Sequence, residues 1–265
     1  MTATDRTRAL IASRHGKFVA AKVATVAEKY LKAYNNLGNI DMTCNGEMAA
    51  VRRVLEHVPG DIIDAGANEG QWAGAVCRFA SGRTIHSFEP VPHIFAKLCA
   101  KLAGVPGVQL VNAGLGALTG TITINYNPAV SGISSAFPVI DWQGDAQPVE
   151  CRIMSGDDYL EEQRIGRVGL LKIDVEGMEA ACLAGFEQAF AKGIIATVQF
   201  EHGPSHVHSG HTLKYFMDWL EARDFALFRI FPHRLLPLHY DIRRESFEMQ
   251  NVFAIRRDVR ARLGL

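Results

Sequence analysis

After Gly60 the chain alternates short apolar runs with stretches of helical periodicity, and no other feature constrains its fold as strongly. Strands that are buried on both faces are continuously apolar, and helices between consecutive strands imply parallel crossover connections. The pattern therefore predicts an open, doubly wound α/β sheet with helices on both faces. The apolar runs, in chain order, are DIIDAG, TIHSFEP, VQLVNAG, VGLLKID, ATVQFEH, FALFRIF and NVFAIRR.

Two stretches depart from simple alternation. The last two apolar runs, 225–231 and 251–256, lack a strong helical pattern between them, so we expect them to pair as a β-hairpin at one edge of the sheet. Between about 120 and 158, β-branched residues alternate with glycines and prolines. This texture predicts a β-ribbon that is inserted above the sheet.

The N-terminal part of the chain has a helical texture. Residues 6–34 lack proline and carry apolar residues at helical spacing, and EMAAVRRVLEHV offers a further helix before Pro59. We therefore expect an N-terminal helical extension over 1–58, followed by the α/β domain over 59–265.

The first thirty residues are basic, and more than one role is open to them. We expect the helices to pack on the main domain, or on a second copy in a homo-oligomer. A membrane-surface helix or a targeting presequence is the alternative. The basic residues are Arg6, Arg8, Arg14, Lys17, Lys22 and Lys29.

The composition argues against several classes of protein. At 265 residues and 48% hydrophobic content, the chain can bury a large core. Lys+Arg and Asp+Glu both total 28, so no basic surplus is available for nucleic acid. No apolar run is long enough to span a bilayer. The five cysteines are scattered without a CxxC pair, which argues against disulfides and zinc and favours a cytoplasmic protein.

A glycine-rich turn follows the first apolar run, and ligands of open α/β sheets bind outside such strand ends. The turn reads DAGANEG, in which Gly66 and Gly70 allow the backbone to turn tightly and to approach a ligand. It lacks the GxGxxG spacing of dinucleotide-binding loops, and Glu69 would oppose a phosphate group. Asp64 and Glu69 instead suit a ligand with a positive or zwitterionic centre.

A lone carboxylate, Glu89, follows the second apolar run, 25 positions after Asp64. In such folds a carboxylate at this place accepts hydrogen bonds from both ribose hydroxyls of a nucleoside. The alternative is that Glu89 only caps the following helix. Together the glycine turn and Glu89 indicate a nucleoside that carries no phosphate, which points to S-adenosylmethionine.

Four segments carry a resemblance to a known family, and together they span about half of the chain: IIDAGANEGQW, HSFEPVPHIFAKL, VQLVNAGLG and LLKIDVEGMEAACLAG. The chain resembles the FkbM-type family of S-adenosylmethionine-dependent methyltransferases. The resemblance implies the class I methyltransferase fold, a Rossmann-like doubly wound sheet of seven strands whose last strand is antiparallel. It also implies the residues that bind the cofactor. Asp64, Gly66, Asn68 and Gly70 would lie at the methionine part, Glu89 at the ribose, and Asn112 at the adenine or the ribose.

Methyl transfer is an in-line displacement in which the protein orients the acceptor and removes a proton. The candidate catalytic residues end the fourth and fifth apolar runs, and they are Asp174, Glu201 and His202. We expect His202 to be the base, because histidine suits proton transfer near neutral pH. The alternative for Asp174 is a structural pairing with Lys172, which shares its face of the strand.

Three further histidines, His206, His208 and His211, could join Glu201 or Asp174 in a divalent metal site. Such an ion would lower the pKa of a sugar diol and orient it. The spacing of these residues matches no strong metal-binding signature, so no metal is predicted.

The resemblance implies an O-methyltransferase that acts on a hydroxyl of a sugar or polyketide-like small molecule, in natural-product or glycan biosynthesis. We expect the inserted ribbon and the N-terminal helices to form the acceptor pocket, with Tyr126, Phe137 and Trp142 against the acceptor. Two alternatives stay open, namely an N-methyltransferase for a peptide or amine and a non-catalytic module that binds a nucleoside.

Overall fold

A computed structural model describes residues 2–12, 14–127 and 146–265. Eight of the strands in these ranges form one large sheet, and three form a smaller one. In chain order the strands are β1 (Asp61–Ala65), β2 (Ile85–Phe88), β3 (Val108–Val111), β4 (Gly114–Gly116), β5 (Gly120–Tyr126), β6 (Gln147–Ser155), β7 (Val168–Ile173), β8 (Thr197–His202), β9 (Phe225–Phe231), β10 (Arg234–Pro237) and β11 (Gln250–Arg256).

Helices connect most of these strands, and local sequence explains where several of them begin. Pro92 opens α5, and the side chain of Thr212 caps α10 by accepting from the amide of Tyr215 at 3.3 Å. In chain order the helices are α1 (Ala3–Ala12), α2 (Arg14–Tyr34), α3 (Glu47–His57), α4 (Gln71–Val76), α5 (Pro92–Leu102), α6 (Gly156–Glu162), α7 (Glu179–Ala184), α8 (Glu187–Ala191), α9 (Ser205–Ser209), α10 (Leu213–Glu221) and α11 (Arg257–Arg260).

The large sheet has the strand order β3-β2-β1-β7-β8-β11-β9-β10. The first five of these strands run parallel, and β1 lies between β2 and β7. β11 runs antiparallel to both of its neighbours, β8 and β9. Every residue of β7 is buried, as expected of a strand with helices on both faces. The predicted class I methyltransferase sheet with an antiparallel last strand is confirmed, but it has eight strands where seven were expected.

The edge of the sheet differs from the prediction. β9 and β11 do pair in antiparallel register, with Val252 opposite Arg229, but β11 lies between β8 and β9. The edge strand is β10, which returns from β9 and pairs Arg234 with Phe231. The predicted antiparallel pairing of these two runs is therefore confirmed, but the prediction that they form a hairpin at the edge of the sheet is wrong. β10 ends at Pro237, and an edge strand tolerates a proline because one side of it has no ladder to complete.

The insertion after β3 forms the smaller sheet. β5 and β6 pair in antiparallel register, and β4 joins β6 in parallel. This arrangement confirms an inserted β-ribbon, whose residues 128–145 lie outside the described ranges. Its apolar face packs near the start of α5, where Ile124, Tyr126 and Cys151 are buried with Val91 and Ile94. The ribbon therefore lies beside the carboxyl end of β2.

The N-terminal helices divide into two parts. α3 packs on the sheet, and its Val51 and Val54 are fully buried in one of the two large cores. The apolar side chains of α2 are largely exposed instead, including Val23 at 62%. The expectation that the N-terminal helices pack on the main domain is confirmed for α3. It is wrong for α2, whose apolar side chains are largely exposed to solvent. The boundary between residues 58 and 59 stays a prediction.

Two general expectations bear on the membrane and on redox chemistry. None of the described helices is both long enough and apolar enough to cross a bilayer. All five cysteines fall within the described ranges, and each carries a free thiol.

Candidate active site at the carboxyl edge of the sheet

Gly66 brings the turn after β1 against the end of β7. Its φ of 80° lies in the left-handed region, and a Cβ built on it would fall 1.8 Å from the carbonyl oxygen of Asp174. Any other residue here would therefore force one of the two turns to move. The amides of Gly66 and Ala67 donate to the carbonyl of Phe88 at 3.1 and 2.8 Å. The ends of β1, β2 and β7 thus meet at one point.

Glu89 follows β2 and is 5% exposed. Its carboxylate accepts from the amide of Asn68 at 3.1 Å and from the amide of Val91 at 2.9 Å. Burial raises the pKa of Glu89 to about 7, although both hydrogen bonds act to lower it. Val91 is the residue that precedes α5, so Glu89 also holds the start of that helix, and the alternative that it only caps the helix stays open.

A cleft, which we call the apolar cleft, opens beside Glu89. Its polar lining comes from the turns after β1, β2 and β7, and its walls come from α5 and the smaller sheet. A carboxylate beside aliphatic walls suits a flat, uncharged ring that carries a diol. The aliphatic and thioether side chains of the walls are Ile94, Leu115, Ile122, Ile124, Ile153 and Met178.

A second cavity, which we call the polar cavity, adjoins the apolar cleft and shares Gly66, Asn68 and Asp174 with it. The segment between α2 and α3 forms part of its lining, together with the first turn of α3. Most of the other lining residues lie at the ends of strands of the large sheet or in the turns that follow them. The polar and aromatic side chains that line it, besides the shared ones, include Asp41, Glu47, Trp72, Lys172, Glu201 and Asn251.

Lys172 lies in the lining of the polar cavity and is 5% exposed. Its Nζ is 3.3 Å from Asp64 Oδ1 and 3.3 Å from Asp174 Oδ2. Burial acts to lower the pKa of Lys172, but the carboxylates of Asp64, Asp174 and Glu47 outweigh it, so the pKa is raised and the side chain stays charged. Asp64 itself is fully buried and lines neither cavity, so it holds Lys172 rather than a ligand.

Asp174, Glu176 and Glu201 form a carboxylate cluster where the two cavities meet, and one oxygen of each lies within 4.8 Å of the others. Burial raises the pKa of Glu176 to about 8, and the nearby Asp174 adds to this shift. Burial also raises the pKa of Glu201 well above its ordinary value, again with a contribution from Asp174. A positive charge that binds beside the cluster would lower both pKa values.

The methyltransferase FkbM domain model matches residues 64–227, which is more than half of the chain. The chain belongs to the FkbM methyltransferase domain family. The hexuronic acid methyltransferase AglP of Haloferax volcanii is 26% identical over 162 residues, which cover 60% of this chain and 64% of that protein. The 31-O-demethyl-FK506 methyltransferase FkbM of Streptomyces tacrolimicus is 29% identical over 167 residues, which cover 52% of this chain and 64% of that protein. The chain thus matches less than two thirds of the length of either relative.

A solved structure also resembles this FkbM domain. The methyltransferase FkbM of Methylobacillus flagellatus aligns with a TM-score of 0.47 and 15% identity, over 73% of this chain and 43% of that chain. The matched residues 64–227 contain every residue named above for the apolar cleft. Six lining residues of the polar cavity lie outside them, among them Asp41, Glu47 and Asn251.

His202 reaches neither cavity of the FkbM domain. Its side chain is fully buried, and its ring lies 4.6 Å from the ring of His206 and 5.5 Å from that of Phe247, between centroids. Successive side chains of a strand point to opposite faces, so His202 turns away from the face that carries Glu201. Burial, assisted by His206, lowers the pKa of His202 to about 3. The structure therefore argues against His202 as the proton acceptor.

Gly70 and Asn112, both predicted to bind the cofactor, line neither cavity. Gly70 precedes α4 with a φ of 80°, and a Cβ built on it would lie 2.6 Å from Leu98 Cδ1. Asn112 Nδ2 donates to the carbonyl of Glu89 at 2.9 Å. Both residues therefore support the turns, whereas Gly66, Asn68 and Glu89 themselves line the apolar cleft.

The histidines considered for a metal site are not in the carboxylate cluster. His206 Nε2 lies 3.0 Å from Glu179 Oε2, and both side chains are buried. Glu179 also accepts from the amides of Val175 and Gly177 at 3.0 and 2.9 Å. His206 and Glu179 therefore brace the turn that carries Glu176.

Sequence patterns did not reveal most of the polar cavity. Asp41 and Glu47 lie in a segment that was interpreted only as part of the helical extension. Asn251 is the second residue of the largely apolar strand β11 and lies opposite Glu201 in the register of β11 and β8. A polar residue at the end of an otherwise apolar run was the one available signal for this site.

Tyr126, the described member of the three aromatic residues, does not lie on the expected acceptor surface. Tyr126 is buried, and its ring stacks on that of His93 at a centroid distance of 6.1 Å. Phe137 and Trp142 lie outside the described residues. The insertion contributes aliphatic side chains such as Ile122 and Ile124 to the apolar cleft instead.

Proposed function

We propose that this chain is an S-adenosylmethionine-dependent O-methyltransferase that acts on a hydroxyl of a sugar or polyketide-like small molecule. The observation that carries the proposal is the junction of the apolar cleft and the polar cavity at Gly66, Asn68 and Asp174. A nucleoside in the cleft and an acceptor in the cavity would meet at this junction. Holding two reactants in one geometry removes much of the entropic part of the barrier.

The side chains of the apolar cleft fit such a nucleoside. Glu89 can accept from two ribose hydroxyls, and these bonds are strong because the carboxylate is buried. The aliphatic walls suit an adenine ring. Asn68 Oδ1 is buried without a hydrogen-bond partner, so it can accept from a ligand. When bound, S-adenosylmethionine supplies a methyl carbon that its sulfonium activates.

The carboxylate cluster can remove the proton of the acceptor. Glu201 lines the polar cavity, and its raised pKa brings it nearer to neutral pH than an exposed carboxyl group. We infer that Glu201 takes the hydroxyl proton as the acceptor oxygen attacks. Asp174, held 3.3 Å from Lys172 Nζ, would orient the acceptor.

The names of two relatives support an oxygen acceptor rather than nitrogen. One relative is a hexuronic acid methyltransferase, and the other is named for a 31-O-demethyl compound. A hydroxyl acceptor also suits a cavity in which carboxylates, an amide and Lys172 can all form hydrogen bonds with it.

One observation favours an amine as a second candidate acceptor. The described lining of the polar cavity contains the carboxyl groups of Asp41, Glu47, Asp174 and Glu201, whereas Lys172 is already paired. An excess of carboxylates attracts a cationic molecule. An amine that has lost its proton needs no base in the transition state, so the two candidates differ in their need for Glu201.

We also propose that the chain acts in the cytoplasm and without nucleic acid. The formal net charge of zero provides no basic footprint for a phosphate backbone. Five free thiols suit a reducing compartment.

The proposal is tested in two steps on the full chain. Calorimetry with S-adenosylmethionine and with its demethylated product measures binding to the apolar cleft, and we expect a measurable dissociation constant for both. Labelled methyl transfer to a panel of glycosides, polyketides and amines then identifies the acceptor, and mass spectrometry shows whether oxygen or nitrogen carries the methyl group. Absence of cofactor binding would exclude an enzyme of this kind, and binding without any transfer would favour the non-catalytic alternative.

A further inference from the structure

α2 presents a continuous apolar stripe to solvent. Its members recur at helical spacing, so they share one face of the helix. Between the first and last of them the helix rises roughly 22 Å. A connected apolar surface of this kind on a folded protein marks an interaction site. We call these residues, each of which is more than half exposed, the α2 stripe: Val19, Val23, Val26, Tyr30, Leu31 and Tyr34.

The charge of the same segment is opposite to that of the remaining chain. Residues 1–34 carry seven Lys and Arg against two Asp and Glu, a formal net charge of +5. The remaining residues carry 21 against 26, a formal net charge of −5. Lys22 and Lys29 are exposed, and the helical geometry places them along the edge of the stripe next to Val26. Two of the basic side chains therefore lie beside the apolar surface.

The C-terminal end of α2 is fixed to the domain. Asn36 Nδ2 donates to the carbonyl of Ile230 at 3.1 Å, and the amide of Gly38 donates to the carbonyl of Met249 at 2.8 Å. Lys32 Nζ lies 2.7 Å from Glu248 Oε1. The helix is thus held at one end while its apolar face remains uncovered by the described part of the chain.

We propose that the α2 stripe binds the surface of an anionic phospholipid bilayer. The helix would lie in the plane of the interface, with the stripe toward the acyl chains and with Lys22 and Lys29 among the phosphate groups. Basic side chains along an apolar face complement this surface in both charge and polarity. The proposal does not depend on the methyltransferase activity.

A second copy of the chain fits the stripe less well. From Val26 to Leu31 the stripe covers an arc of about 140° on the helix, which is wider than the seam of a two-stranded coiled coil. Pairing of two stripes would also bring the basic edges of two helices together. A bilayer surface can cover the full width of the apolar arc, and its negative charge is opposite to that of Lys22 and Lys29.

The test is sedimentation of the full chain with vesicles of phosphatidylcholine, with and without phosphatidylglycerol. We expect co-sedimentation with the anionic vesicles, a reduction of about tenfold or more on neutral vesicles, and weakening by salt. Val26→Asp should abolish binding, because it places a carboxylate in the middle of the stripe. Thr25→Asp is the matched control, since it makes the same change of charge at the neighbouring position on the opposite face and should retain most of the binding.

Light scattering measures the oligomeric state of the same proteins, and thermal unfolding checks that they remain folded. Neither substitution should alter the unfolding temperature, because both side chains are exposed. Equal loss of binding in Val26→Asp and Thr25→Asp would overturn the proposal, as would wild-type protein that stays in the supernatant with anionic vesicles. The wild type could fail to bind vesicles and form a dimer, while the Val26→Asp variant is a monomer. In that case the stripe is an interface between two copies of the chain instead.

Discussion

The apolar cleft and the polar cavity share Gly66, Asn68 and Asp174, but they are built from different parts of the chain. The cleft uses turns and strands within the matched range 64–227, and its walls are aliphatic. The polar cavity also draws on Asp41 and Glu47 before that range, and it places carboxyl groups around Lys172. The matched range thus contains the whole lining of the cleft, the side suited to a nucleoside, and segments outside that range add to the side suited to an acceptor.

We therefore expect the apolar cleft to determine how tightly the cofactor binds and the polar cavity to determine the rate of methyl transfer. In the cleft, burial raises the pKa of Glu89, for which we propose the role of acceptor for a neutral diol. In the cavity, burial raises the pKa of Glu201 and close carboxyl groups raise it further, which prepares it to exchange a proton. Substitutions in the two regions should therefore change different kinetic constants.

The largest effect is expected where the two cavities meet. Gly66→Ala would force a Cβ against the Asp174 carbonyl at a left-handed φ of 80°, so both cavities should lose their shape. We expect loss of cofactor binding and a decrease of about 2–4 kcal/mol in the free energy of unfolding, measured by calorimetry and by denaturant titration. Gly74→Ala is the control, because its Cβ would make an ordinary 3.5 Å contact with Leu102 and should not destabilise the protein.

Glu201→Gln tests the polar cavity alone. If the acceptor is a hydroxyl, kcat should fall by about 10²–10⁴-fold, because a general base is lost. The dissociation constant of the cofactor should change little, since Glu201 does not line the cleft. Steady-state kinetics with the identified acceptor and calorimetry measure the two quantities. A kcat near that of the wild type would instead favour the amine acceptor.

Glu89→Gln tests the apolar cleft alone. Loss of the charged acceptor for the ribose hydroxyls should weaken binding of S-adenosylhomocysteine by about 10–100-fold, measured by calorimetry. Glu69→Gln is the matched control, because Glu69 lies in the turn after the neighbouring strand β1 but pairs with Lys97 at 2.8 Å and lines neither cavity. Equal effects of the two substitutions would contradict the ribose assignment.

A smaller effect is expected from pH. The raised pKa of about 7 means that Glu89 takes up a proton as the pH falls through neutrality. Ribose hydroxyls donate to the ionised form, so binding of S-adenosylhomocysteine should weaken by about tenfold between pH 8 and pH 6. Glu89→Gln should remove this part of the dependence, whereas titration of the ligand would remain.

The same titration affects stability in the opposite direction. The pKa of Glu89 is raised from 4.5 in the unfolded chain, so the folded state binds more protons between the two pKa values. The contribution of Glu89 to the free energy of unfolding therefore decreases as the pH rises from about 4.5 to 7. Denaturant titrations of wild type and Glu89→Gln across this range should converge at low pH.

Much of the fold could be predicted because each buried parallel strand is a continuous apolar run in the sequence. Gly66 and Glu89 were also accessible, since a strand-end glycine turn and a carboxylate after the next strand are local signals. The position of β11 was not accessible, because the order of strands depends on contacts between segments distant in sequence. β10 was missed because four residues with a terminal proline carry little strand signal.

The catalytic assignment shows the same limit at the level of single side chains. Glu201 and His202 are neighbours at the end of β8, and sequence chemistry favoured the histidine. Which of the two faces the cavity depends on the alternation of the strand and on where its pairing with β11 stops. That outcome is settled by packing, since His202 is enclosed by His206 and Phe247.

By itself the sequence determined the alternating sheet, the glycine turn and the carboxylate suited to a ribose, because each of these follows from neighbouring residues. Only the tertiary structure decided that Asp41, Glu47 and Asn251 line a cavity with Glu201, and that the α2 stripe stays exposed. A cavity forms where separate segments meet, and exposure depends on what covers a surface. Neither property is present in any short stretch of the chain.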